Sequence, residues 1–96
     1  PMGSTMSLII ETLQNRVNNA TGPEREQLQD ELNIALINHE MGELRRLEGG
    51  TRYCLHTREH QPALNMLRRG MRRCDVVTHY AYKVPVKRQI AAGKGC

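Results

Sequence analysis

The stretch TGPEREQLQDELNIALINHEMGELRRLEGG, residues 21–50, decides the fold. Thr21 stands three positions before Glu24, the spacing of a reciprocal helix cap, and Pro23 falls in the first turn, where its missing N–H costs nothing. Glu24, Glu26, Asp30 and Glu31 crowd the same end, where a helix dipole favours acids. Leu28, Leu32, Ala35 and Leu36 then recur at helical steps, and Ile34, Ile37, Met41 and Leu44 make a second stripe, followed by Leu47. Arg45 and Arg46 suit a C-terminal turn, and Gly49-Gly50 ends the pattern. A helix of this length runs about 39 Å. Two stripes form a face broader than one neighbour needs, so this helix lies either in the middle of the bundle or at a dimer seam; Ile34, Ile37, Met41 and Leu44 are the expected seam of a homo-oligomer, with a two-fold dimer favoured.

Outward from this helix, the chain before it repeats the period. Ile10, Leu13, Val17 and Ala20 share one face of a short helix beginning at Ser7 and leaving at Asn18, Asn19 and Gly22. Residues 1–5 read as an expression remnant, with Met6 the native start. After Gly49-Gly50, residues 51–60 fit either an extra helical turn or an ordered loop. Gln61-Pro62 marks a boundary, because the residue before proline is pushed out of the helical region. Leu64, Leu67, Met71, Cys74, Val77 and Ala81 then keep a helical period to about Tyr82. Pro85 stops it, and residues 84–96, with Gly93 and Gly95, read as a flexible basic tail.

The expectation is an all-α fold: a short N-terminal helix plus a long antiparallel helical hairpin, one small bundle over residues 7–83. Composition agrees. The chain of 96 residues contains no Phe, no Trp and three Tyr, so its core must be aliphatic. A core of that kind suits helix packing better than a small sheet. Leu8-Ile9-Ile10, the largest apolar cluster, is far shorter than a span of ~20 residues, so no membrane contact is expected. Three widely spaced cysteines argue against a disulfide framework and for a reducing, cytoplasmic setting.

The charge is divided by position. Residues 1–50 carry four basic and eight acidic side chains, a net of −4, and residues 51–96 carry ten basic and two acidic, a net of +8. The densest run is Arg68-Arg69-Gly70-Met71-Arg72-Arg73. On one continuous helix, 68/72 and 69/73 are i,i+4 pairs whose like charges repel, a repulsion that an anionic partner relieves. Arginine forks match phosphate and carboxylate geometry. Arg58, Lys83, Lys87 and Arg88 extend the positive surface, and Tyr80 and Tyr82 offer rings on which bases stack. The expected function is therefore a non-enzymatic helical binding protein whose arginine-rich C-terminal helix engages an anionic partner, nucleic acid first. The alternative is a small regulator or inhibitor, of the type mobile elements and phages use, docking on an acidic surface of a larger protein machine. The bland reading, a solvated face neutralised by the chain's own glutamates, competes with both.

No zinc-finger, RNP, KH or homeodomain pattern accompanies the run. A helix-turn-helix needs short helices around a tight turn, and these helices read as too long. A weak zinc set is Cys54, His56, His60 and Cys74, with His56 and His60 at i,i+4 but no CxxC knuckle; no cofactor is expected. A nucleophile drawn from Cys54 with His56 or His60, and Glu59 as orienter, lacks a concave site in a hairpin this small, so no enzyme is expected.

Overall fold

The computed structural model describes residues 5–48 and 54–83. It is all-α. Helix α1 spans Thr5–Asn19, α2 spans Gly22–Glu48, α3 spans His60–Arg68 and α4 spans Arg73–Thr78. A 3₁₀ turn, Thr57–Glu59, leads into α3, and a π-helical turn, His79–Lys83, extends α4. No strand occurs among the described residues. None of these helices is long and apolar enough to cross a membrane.

The chain divides into two compact units, and the division falls inside α2 between Leu36 and Ile37. In the first unit the α1–α2 link turns on Gly22, whose φ of +62° lies in the left-handed region. The expected reciprocal cap does not form: among the described residues neither Thr21 nor Glu24 has a side-chain hydrogen bond. The left-handed residue between them takes the chain off the geometry that a cap requires. Val17, Leu32, Ile34 and Ala35 are the buried residues here, while Leu8 and Ile9 stay exposed.

The second unit builds its core from the C-terminal half of α2 and the short helices after it. Ile37, Met41, Leu55, Ala63, Leu64, Val76, Val77, Tyr80 and Ala81 are all buried. Burying an aliphatic side chain of this size is worth about 1.5–3 kcal/mol. Of the residues expected at an oligomer seam, Ile34, Ile37 and Met41 are buried within the chain, whereas Leu44 is half-buried. Leu55 reaches that core because its N–H donates to Asn38 Oδ1 on α2 at 2.7 Å. This bond aims the chain into the 3₁₀ turn, which closes with Glu59 N–H donating to the His56 carbonyl at 2.9 Å.

The helix read as continuous from Pro62 to Tyr82 is broken. Gly70 takes φ +102°. Its N–H donates to the Leu67 carbonyl at 3.0 Å, and Met71 N–H donates to the Met66 carbonyl at 3.0 Å. These are the two bonds of a Schellman C-cap, with glycine at the left-handed position. Arg72 then takes an extended conformation and α4 begins at Arg73. Met71, expected on the apolar face, is exposed at the turn. Further on, Thr78 Oγ1 donates to the Cys74 carbonyl at 2.9 Å. A back-bond of that kind bends helices, and the π-helical turn starts at the next residue.

Candidate functional site

The broken helix reorganises the basic run. Arg68 ends α3, Arg69 caps it, Arg72 precedes α4 and Arg73 opens it. Four arginines therefore flank one tight turn instead of lining one helix face, and all four residues are exposed. Arg58 is exposed on the 3₁₀ turn, and Lys83 is exposed at the end of the π-helical turn.

Arg72 and Arg73 are held by carboxylates of the same chain. Arg72 Nε lies 3.1 Å from Asp75 Oδ2, and its Nη2 lies 3.4 Å from Oδ1. This pair stands in solvent, with side-chain exposures of 76% and 51%. The hydrogen bond to Asp75, then its charge, raise the Arg72 guanidinium above its ordinary value. A raised cation stabilises the folded state at every pH below its unfolded value, and for arginine that covers all working conditions. Arg72 therefore adds no pH dependence near neutrality. Arg73 spans to α2, with Nε 3.2 and 3.1 Å from Glu40 Oε1 and Oε2. Arg46 pairs with Glu43 one turn away on α2. Among the described residues, Arg58, Arg69 and Lys83 have no carboxylate partner.

The internal neutralisation weighed for this surface is thus real but partial. Exposed pairs of this kind stabilise the fold little and are exchanged readily for a better anion.

Tyr80 is 4% exposed and sits in the core, so its ring face is closed to bases, whereas Tyr82 is 39% exposed. Edge contact with the His79 ring, 4.9 Å between centroids, helps to fix Tyr80 there. Lys87 and Arg88 lie outside the described residues, as does the tail to which they were assigned. Cys54, His56, His60 and Cys74 are not gathered: among the described residues no group of three or more His, Cys, Asp or Glu is placed to hold a metal ion. Cys54 is disulfide-bonded, against the expectation of reduced cysteines, and so offers no thiolate as nucleophile or ligand. Cys74 is a free, exposed thiol.

Cys74 also lines a groove of about 320 Å³ with Leu44, Val77, Thr78, Glu40 and Glu43. No sequence signal located this groove, because it depends on the break at Gly70 that turns α4 onto its own course. No family model, curated protein or solved structure matches the chain.

Proposed function

We propose that this is a non-enzymatic binding protein whose basic turn between α3 and α4 engages nucleic acid. One observation carries the reading: Arg68, Arg69, Arg72 and Arg73 stand exposed around a single capped turn. Clustered guanidinium groups on a rigid turn suit a row of phosphates, whose neutralisation releases counterions and supplies most of non-specific affinity. Arg58 and Lys83 extend the positive surface within the same unit. The two carboxylates that hold Arg72 and Arg73 orient them in the free protein and compete only weakly with a phosphate.

The test is retention on immobilised nucleic acid at low salt. The protein should be retained, and Arg69→Glu with Arg73→Glu should flow through with its helical circular dichroism intact. Equal retention of the folded variant removes the reading.

A second reading is favoured by the groove beside Glu40. Its lining from Leu44, Val77 and Cys74 is apolar, and its rim carries the Arg73–Glu40 pair. An apolar recess beside charge fits a protein side chain better than a phosphate. Docking on an acidic protein surface would place Arg69 and Arg72 against carboxylates and a partner residue in the groove. That reading requires a stable complex with one protein and no shift of oligonucleotides.

A further inference from the structure

We infer that α3, the turn at residues 69–72 and α4 form a helix-turn-helix unit that reads base edges in the major groove of double-stranded DNA; this rests on the nucleic-acid reading above. The dimensions carry it first. Helix α3 has nine residues, the Gly70 turn follows, and α4 with its π-helical extension runs from Arg73 to Lys83. A short helix, a three- or four-residue turn containing glycine and a second short helix is the arrangement that presents the second helix to DNA. A helix about 10–12 Å across fits the B-form major groove of about 12 Å.

The side chains carry it second. In such units the residues at the start of the second helix face the bases. Here Arg73 opens the second helix and Arg72 stands at its N-cap. Asp75 holds Arg72 through Nε and one hydrogen of Nη2. A guanidinium has five N–H donors, so three remain, on Nη1 and Nη2 at the outer end of the fork. That outer pair matches O6 and N7 of guanine, and the clamp has already removed much of the rotational freedom that binding must otherwise remove. Arg68 and Arg69, before the turn, are placed for phosphates.

Competing nucleic acids fit less well. Single strands want a row of stacking platforms, and with Tyr80 buried Tyr82 is the one exposed tyrosine among the described residues. Double-stranded RNA hides its base edges in a deep, narrow major groove that side chains do not read.

The experiment is selection from a randomised DNA duplex pool, followed by anisotropy titration of the selected duplex, its single strands and the same sequence as duplex RNA. The selected duplex should contain a required guanine and bind at least tenfold tighter than either alternative. Arg72→Ala should lower discrimination at that guanine by roughly tenfold or more, beyond the loss of affinity that it causes on every duplex. Asp75→Asn, which keeps the helix start but loosens the clamp, should lose discrimination while gaining random-duplex affinity. Arg69→Ala should weaken all duplexes alike. Binding without duplex preference, or selection that yields no consensus, overturns this inference and leaves the nucleic-acid reading standing. Absence of binding to any nucleic acid at low salt, or exclusive capture of an acidic protein, overturns both.

Discussion

Arg73 Nη2 and Glu40 Oε2 lie 3.0 Å apart across a sequence separation of 33 residues. The pair fastens the first turn of α4 to the middle of α2. It also places one arginine of the basic turn under the control of the chain's own acidic half. Both side chains keep contact with solvent, at 43% and 34% exposure, so the bond is a weak tether.

Removing that tether should separate stability from binding. Glu40→Gln should cost under about 1 kcal/mol in urea denaturation. Nucleic-acid affinity should rise several-fold, because Arg73 loses its competitor. Unchanged affinity by anisotropy would place Arg73 outside the interface.

Asn38 should matter more than its half-buried position suggests. Asn38→Ala strips the acceptor from the Leu55 N–H, which sits in the core, and an orphaned buried donor costs about 1–3 kcal/mol. Asn38→Asp keeps an acceptor oxygen and should retain most of the stability. Hydrogen exchange at the Leu55 amide should accelerate in the first variant and much less in the second.

Gly70 should resist replacement for a torsional reason alone. Nothing lies within 4 Å of where a Cβ would stand, yet φ is +102°. Gly70→Ala should destabilise by about 1–2 kcal/mol, and Gly70→Asn by less, since asparagine tolerates positive φ better. Thermal melting of the two variants gives the order. Each should also weaken nucleic-acid binding, because the cap at Gly70 sets the directions of Arg69 and Arg72.

Ile37 and Met41, both fully buried, should behave as core. Replacing either by Ala should cost about 2–5 kcal/mol, a large fraction of a small domain's stability. Chemical denaturation checks this. A variant of normal stability but altered oligomeric state would instead restore the seam expected from the sequence.

Much of this architecture was legible in the sequence, because it follows from periodicity. The α2 pattern from Leu28 to Leu44 and the α1 face through Val17 both produced helices where the spacing placed them. Burial was less legible. The second α2 stripe reads the same whether a partner chain or the chain's own later helices cover it, and Ile37 and Met41 are covered from within.

The candidate site was legible in residue type but not in geometry. A regular helical period through Leu67, Met71 and Cys74 hid the cap at Gly70. The overlooked signal was glycine followed by an apolar residue, Met71, after a run of good helix formers. Glu40 as the partner of Arg73 had no local signal at all, since that pairing depends on how α4 packs after the break. Tyr80 and Tyr82, two residues apart, looked alike in sequence. Residues two apart on a helical turn face opposite ways, so Tyr80 enters the core and Tyr82 stays outside.

The most direct measurement is the salt dependence of binding to a short DNA duplex. On a duplex of random sequence, where all four arginines of the turn meet phosphates, log K against log salt should fall with a slope of about −3 to −4, and replacing Arg69 alone by Gln should make it shallower by about 1. A flat dependence, or a slope that the Arg69 variant leaves unchanged, would contradict the account.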